Sequence, residues 1–180
     1  EMRSSLVGSE MCIRDRVGEL AIDTETNSLN PHLAKLVGIS ISFKIGEAYY
    51  VPLNHSNGKN LDEKNILKIL KPLLEDKTIK KIGQNIKFDY IIFYHRGIEM
   101  KFLEDTMLMS YVLDAGKNKH NMDELSKIHL DHQTISYKDL VGTGKKQITF
   151  DDVDIEEAKD YAAEDADVTY RLYKKFLKDI

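Results

Sequence analysis

The chain has 180 residues, of which 42% are hydrophobic and 31% are charged, and its formal net charge is −4. This length and composition suit one globular domain with a sizeable core. No apolar run approaches the roughly 20 residues that a membrane-spanning helix needs, so a membrane protein is not expected. The negative charge argues against a protein that holds nucleic acid by bulk positive charge. A nucleic-acid enzyme stays possible, because bound divalent cations reverse the sign of an acidic site.

The first 16 residues differ from the rest of the chain. The segment EMRSSLVGSEMCIRDR has neither a helical nor an alternating apolar pattern, and it is not a signal peptide. It resembles the translated remnant of a sequencing adapter, and an ordinary disordered tail is the alternative. We therefore predict a non-native or disordered tail over 1–16 and one folded domain over 17–180. The single cysteine, Cys12, lies in this tail, so an internal disulfide is impossible and a reducing, cytoplasmic setting fits.

Three strands are predicted in succession after the tail. The apolar run 20–22 leads into the polar sequence Asp-Thr-Glu-Thr at 23–26, which is typical of a buried strand that reaches a polar edge. Over 37–43, apolar residues alternate with glycine and serine, as in a strand with one buried face. The segment 47–53 supplies the third strand. Such a meander implies antiparallel neighbours.

The next part of the chain combines helical and strand patterns. Apolar residues at helical spacing predict a helix over 62–74, which Pro72 should kink or weaken. A short strand is predicted over 80–83. Asn85 can then cap a helix that runs to Gly97.

The last third of the chain is predicted to be mostly helical. Helices are expected over 106–113 and over 122–130. Asp154 and Glu157 form a capping-box pattern that opens a final helix, which we predict to run to the C-terminus. Strands followed by helices mixed with strands predict a single α/β domain, in which helices flank a mixed sheet with an antiparallel meander and parallel strands.

Asp23 and Glu25 are the first candidate functional residues. They are two positions apart on a predicted strand, so their side chains leave the same face of it. Two carboxylates held side by side repel each other, and burial strengthens the repulsion, so a cation must compensate. Taken alone, the pattern is a weak signal, and a solvated strand end, where Asp and Thr are common, explains it better.

The final predicted helix carries a carboxylate on its apolar side. At about 100° per residue, Asp165 falls in the middle of the apolar stripe, with Tyr161 one turn before it. Asp160, Glu164 and Asp167 fall outside the stripe, as solvated charges should. A lone buried carboxylate is costly and needs a partner or a metal, and no basic residue shares the stripe. The stripe consists of Ala158, Tyr161, Ala162, Thr169, Leu172 and Phe176.

Asp89 is the fourth acidic candidate. It follows Gly83-Gln84-Asn85 near the start of a predicted helix, where the helix N-terminus favours negative charge, so it has an electrostatic explanation that needs no site. Together, three aspartates and one glutamate make a set of hard oxygen ligands, which suits Mg²⁺ or Mn²⁺ better than zinc. The histidines lack metal-ligand spacing and are interpreted as surface or satisfied core residues.

Three motifs resemble those of the proofreading exonuclease domain of bacterial family A DNA polymerases, the DNA polymerase I type. In chain order they are Asp23-Thr24-Glu25-Thr26, then Gly83-Gln84-Asn85 with Asp89, then Tyr161-Ala162-Ala163-Glu164-Asp165-Ala166-Asp167. The Tyr-x-x-x-Asp form of the third motif marks the DEDDy subgroup. Lys71-Pro72-Leu73-Leu74 and Asp105-Thr106-Met107 match as well. The resemblance covers nearly all of the chain after Arg16.

The resemblance implies a ribonuclease H-like fold and two divalent metal ions, Mg²⁺ or Mn²⁺, between the carboxylates. By that analogy, Asp23, Glu25 and Asp165 hold one ion, Asp23 and Asp89 hold the other, and Tyr161 orients the attacking water. Two ions stabilise the attacking and leaving oxygens of an in-line displacement. The implied activity is 3′→5′ exonucleolytic proofreading, in which nucleoside monophosphates are released from a single-stranded or frayed 3′ end of DNA. A polymerase domain in the same longer chain is implied as the partner.

Substrate-contacting positions of the family also have counterparts in this chain. Leu29 matches a residue that wedges against the terminal bases. Phe88 stands where many relatives carry tyrosine, so a hydroxyl contact is lost. Lys119 stands where relatives often carry arginine, which replaces a bidentate fork by a point charge. The implied substrate-binding residues are Thr26, Leu29, Gln84, Asn85, Phe88, Lys119 and Tyr137.

Two other functions remain open at this point. An RNA-trimming exonuclease of the ribonuclease D type would share the fold and the acidic set, and a preference for the 2′-hydroxyl cannot be read from these residues. The matches around 71–76 and 161–167 favour the polymerase relative. A non-catalytic module that braces a polymerase or binds single strands is the second alternative. The complete acidic set counts against it, as does the lack of an obvious aromatic platform with basic stripes.

Overall fold

A computed structural model describes residues 18–180, in which a five-stranded mixed sheet has helices on both faces. The spatial order of the strands is β3-β2-β1-β4-β5, with β1–β2 and β2–β3 antiparallel and with β4 parallel to both β1 and β5. The strands are β1 (Glu19–Thr26), β2 (Leu36–Lys44), β3 (Glu47–Pro52), β4 (Lys80–Gly83) and β5 (Leu103–Asp105). The predicted meander and mixed sheet are confirmed. The three-residue β5 is too short to produce a periodic pattern, and it was not predicted.

Five of the six α-helices in the described part of the chain lie close to their predicted positions, and the five-residue helix over 137–141 was not predicted. Within residues 18–180 the helices are α1 (Glu63–Leu74), α2 (Lys87–Tyr94), α3 (Thr106–Asp114), α4 (Met122–Leu130), α5 (Tyr137–Val141) and α6 (Ile155–Phe176). Pro72 lies in the last turn of α1, and the helix ends two residues after it. Helix α6 ends four residues before the C-terminus, so the predicted extension to the chain end is wrong. No helix in the described part of the chain is long and apolar enough to cross a membrane.

The two faces of the sheet pack differently. Leu20 and Ile22 of β1 point to one face and pack in the main core with residues of α1 and α2. The opposite face is covered by α6. There, β2 presents Gly38, Ser40 and Ser42, all buried, so the expectation of a strand with one buried face is wrong. Small side chains let the long helix lie close to the strand. The glycine and serines were expected to face solvent because they are not apolar, but they are buried because they are small.

The start of α2 corrects a second prediction. Asn85 is not the N-cap, because its φ of 59° is left-handed whereas an N-cap residue is extended. Asp105, at the end of β5, accepts instead from the backbone N–H of Asn85 at 2.9 Å and of Ile86 at 3.1 Å. The same carboxylate accepts from Met107 N at 2.9 Å. One aspartate therefore binds the N–H groups that begin two helices.

Candidate metal centre

The end of β1 and the middle of α6 bring three carboxylates together. Asp23 and Glu25 leave the face of β1 that α6 covers, because side chains alternate along a strand. Asp165 points at them from the buried stripe of α6. One carboxylate oxygen from each of the three lies within 4.8 Å of the others. The carboxylates that the strand pattern and the helix stripe predicted are therefore neighbours in the structure.

Asp89 lies beside this group and outside it. It is buried in the first turn of α2, and its Oδ1 accepts from Thr24 N at 2.9 Å and from Thr24 Oγ1 at 2.6 Å. Thr24 stands between Asp23 and Glu25 in the sequence. Asp89 is thus tied to the same stretch of strand, although the group of three within 4.8 Å does not include it.

Burial raises the pKa of all four carboxylates, and the charges of their neighbours add to the effect for Glu25, Asp89 and Asp165. Burial raises the pKa of Asp23 to about 6. Burial, followed by the charges of Asp23, Asp165 and Asp89, raises the pKa of Glu25 well above its usual range. Burial and the charge of Asp23 also raise the pKa of Asp89 and the pKa of Asp165. Hydrogen bonds from Thr24 to Asp89 and from Tyr161 to Asp165 act in the opposite direction. Such a set needs positive charge to be ionised at neutral pH.

Unpartnered oxygen atoms at this place fit a bound cation. Glu25 Oε1 is buried and has no hydrogen-bond partner within residues 18–180, and the same holds for Ser40 Oγ, which is on the residue directly opposite Asp23. A buried carboxylate oxygen without a donor is costly, so its persistence calls for a ligand. An all-oxygen set suits a hard divalent cation. The residues present therefore fit the metal that the acidic motif predicts.

Three tyrosines, Tyr50, Tyr137 and Tyr161, lie close enough to Glu25 for its charge to act on them. The rings of Tyr161 and Tyr137 are 5.9 Å apart, and each also packs against Phe150. Burial, then the charges of Asp165 and Glu25, raise the pKa of Tyr161, so its hydroxyl keeps its proton. The third is Tyr50, whose pKa is raised by burial and then by the charge of Glu25. Tyr50 was not predicted from the sequence. The available signal was Gly38 on the α6 side of β2, because a missing side chain there leaves room for another group.

Four of the predicted substrate-binding residues are accessible. Leu29, in the loop after β1, is 95% exposed, and Lys119 is exposed in the loop between α3 and α4. Tyr137, at the start of α5, is 41% exposed. Thr26 ends β1, and its hydroxyl donates to the carbonyl of Ser28. Their roles stay predictions.

The other three lie in or near the loop that leads into α2. The side-chain amide of Gln84 is engaged at both ends, since Thr106 Oγ1 donates to its oxygen and its nitrogen donates to His120 O at 2.9 Å. This favours a role in holding the loop. Phe88 is partly buried against the main core. The side chain of Asn85 has no hydrogen-bond partner within the described range, and it stays a predicted substrate contact.

Two acids of the third motif are not the solvated charges that we expected. Glu164 contacts His132 Nε2 at 2.8 Å and accepts from Ile135 N at 2.6 Å. Asp167 accepts from Gly46 N at 2.6 Å. Both fasten α6 to chain segments far away in the sequence. The helical pattern placed them correctly outside the stripe, but the partners come from tertiary packing.

Comparison with known proteins agrees with this geometry. The sequence model of a 3′-5′ exonuclease family matches residues 9–180. DNA polymerase I of Rhizobium leguminosarum is 46% identical over 177 residues, which cover 87% of this chain and 17% of that protein. The enzyme of Pseudomonas aeruginosa is 46% identical over 161 residues, with 86% and 18% covered. The chain thus spans less than a fifth of the length of these curated relatives.

Solved structures share the fold. Brucella melitensis NrnC superimposes with a TM-score of 0.70 at 25% identity, covering 91% of this chain and 73% of that one. Escherichia coli RNase D gives a TM-score of 0.71 at 16% identity, covering 98% and 43%, a likeness of fold alone. The chain therefore has a ribonuclease H-like fold and belongs to the 3′-5′ exonuclease domains that bacterial DNA polymerase I carries.

Proposed function

We propose that this domain hydrolyses the terminal phosphodiester bond at a single-stranded or frayed 3′ end of DNA and releases nucleoside monophosphates. The observation that carries the proposal is the convergence of Asp23, Glu25 and Asp165 within 4.8 Å, with a buried, unpartnered oxygen on Glu25. Because the relatives are whole bacterial polymerases, we further propose that the domain proofreads beside a polymerase domain of the same chain, in the bacterial cytoplasm.

The carboxylates divide into two ligand groups in this proposal. Asp23, Glu25 and Asp165 would hold one divalent cation, Mg²⁺ or Mn²⁺, and Asp23 with Asp89 would hold a second. When bound, such ions stabilise charge on the attacking and leaving oxygens and lower the pKa of a water. Thr24 orients Asp89 through two hydrogen bonds, which leaves the second oxygen of that carboxylate for the ion.

Tyr161 and the accessible residues complete the proposed reaction site. The protonated hydroxyl of Tyr161, next to Asp165, orients the attacking water by a hydrogen bond. Leu29 offers an exposed apolar side chain to wedge against the terminal bases. Tyr137 packs against Tyr161 and keeps part of its surface open, so it can contact a nucleotide beside the carboxylates. Lys119 supplies positive charge for a phosphate.

One assay tests the function and its alternatives together. The protein is incubated with 5′-labelled single-stranded DNA and with RNA of the same sequence, first with Mg²⁺ and then with a chelator, beside an Asp23→Ala/Asp165→Ala protein. The proposal expects a DNA ladder that shortens from the 3′ end, requires metal and is missing for the variant. Faster digestion of RNA would favour the ribonuclease D-type activity. Binding without any product would favour a non-catalytic module.

A further inference from the structure

Tyr50 reaches the carboxylate site through a gap in β2. Glu25 of β1 stands directly opposite Gly38 of β2. A Cβ atom at position 38 would lie 2.1 Å from the hydroxyl oxygen of Tyr50, so the phenol fills the place of the missing side chain. Directly opposed residues of antiparallel strands have Cβ atoms about 4.5–5.5 Å apart on the same face. The hydroxyl of Tyr50 therefore lies beside the side chain of Glu25.

A buried histidine holds this hydroxyl. Tyr50 Oη and His55 Nε2 are 2.7 Å apart, and His55 Nδ1 is 3.1 Å from the carbonyl oxygen of Val153. A carbonyl can only accept, so Nδ1 carries the ring proton of the neutral imidazole and Nε2 is the acceptor. Tyr50 must then donate to His55. The imidazole is 5% exposed and packs at 5.9 Å against the rings of both Tyr50 and Phe150, so its orientation is set.

This arrangement has a consequence for the neighbouring carboxylate. A tyrosine hydroxyl has one proton to donate, and Tyr50 donates it in the hydrogen bond to His55. Glu25 Oε1, although buried next to a potential donor, has no hydrogen-bond partner in the described part of the chain. A hydrogen bond from a hydroxyl to a buried carboxylate is one of the stronger kinds. Without His55 as its acceptor, the Tyr50 hydroxyl would therefore donate to Glu25 Oε1 and compete with a cation for that oxygen.

We propose that Tyr50 and His55 are positioning residues for Glu25, with His55 directing the Tyr50 proton away so that Glu25 Oε1 stays available to a divalent cation. The inference rests on the proposed function, because it concerns the ligand atom that the function requires. The pair touches neither the exposed substrate side chains nor the other three carboxylates in any hydrogen bond of residues 18–180.

The test uses Mn²⁺ affinity, measured by the electron paramagnetic resonance signal of free Mn²⁺. His55→Leu leaves the Tyr50 hydroxyl without its acceptor, and we expect Mn²⁺ binding to weaken about 10-fold, the lower end for loss of an outer-shell partner. Tyr50→Phe in the same protein removes the competing proton and should restore affinity to within about twofold of wild type. Tyr49→Phe, on the exposed neighbour in β3, is the matched control and should restore nothing.

A second variant keeps the test valid if His55→Leu fails to fold. His55→Phe keeps a ring against Phe150 but offers no acceptor, and it should show the same loss and the same rescue by Tyr50→Phe. Unchanged Mn²⁺ affinity in a folded His55 variant, or a loss that Tyr50→Phe leaves in place, overturns the inference while the proposed function stands. Wild-type protein that binds no Mn²⁺ overturns the proposed function, and this inference with it.

Discussion

Tyr161 places one protonated hydroxyl among the carboxylates of α6 and β1. If that hydroxyl orients the attacking water, Tyr161→Phe should reduce turnover by about 10- to 1000-fold, as for the loss of one oriented polar group. The phenylalanine fills the same space, so fold and DNA binding should change little. Single-turnover release of the 3′ nucleotide measures the effect. Tyr94→Phe, at a half-exposed position on α2, is the control, and full activity in the Tyr161→Phe protein would contradict the assigned role.

Asp165 should stabilise the metal-bound protein and destabilise the metal-free one. Without a cation, its buried charge is disfavoured by desolvation and by Asp23. Asp165→Asn removes that charge, so the melting temperature of the chelated protein should rise, by about 2–4 °C for each kcal/mol in a domain of this size. The same variant should lose the rise that Mg²⁺ produces in wild type. A lower melting temperature in chelator, with the Mg²⁺ effect kept, would argue against the site.

At the scale of elements, Asp105 links the starts of α2 and α3 to the end of β5. Its carboxylate accepts three backbone N–H groups, two of them in the turn that leads to Asp89. Loss of a helix cap costs about 0.5–2 kcal/mol, so Asp105→Ala should lower the free energy of unfolding by about 1–3 kcal/mol, since two helix starts lose their acceptor. Urea denaturation measures this. Asp160→Ala, on the exposed side of α6, should change it by less than about 0.5 kcal/mol.

For the whole molecule, the carboxylate cluster makes stability depend on pH and metal. A carboxyl group whose folded pKa is raised binds more protons folded than unfolded, so stability falls as pH rises between the two pKa values. For Asp23 that window runs from its ordinary value of 3.8 to about 6. We therefore expect the melting temperature of the chelated protein to fall from pH 4 to pH 6 and beyond, because the other three pKa values are also raised.

Metal should reverse that trend. A ligand at 100 times its dissociation constant contributes about 2.7 kcal/mol, which corresponds to roughly 5–10 °C in a domain of this size. At pH 7.5, Mg²⁺ or Mn²⁺ should raise the melting temperature by that order and flatten its decline with pH. Thermal denaturation with and without metal checks both effects. An equal slope in chelator and in metal would show that the cluster does not bind the ion.

Much of the site follows from local patterns that the sequence alone reveals. Alternation along β1 puts Asp23 and Glu25 on one face, and the 3.6-residue period of α6 puts Asp165 in its buried stripe with Tyr161 one turn away. These periodicities act over a few residues, so they can be read without knowing the fold. The antiparallel meander and the oxygen-ligand chemistry follow from the same kind of evidence. The tail over 1–16 lies outside the described residues, and its boundary stays a prediction.

The partners of those side chains were decided by the tertiary structure. Asp89 meets Thr24 across 65 positions of sequence, and Tyr50 meets Glu25 only because the strand register sets Gly38 between them. Asn85 was predicted to be a cap, but Asp105 takes that role from a neighbouring strand. A hydrogen bond or a filled gap needs two groups placed within a fraction of an ångström. Strand register and helix packing fix such distances between residues that are remote in the sequence. The local periodicity of the sequence does not determine them.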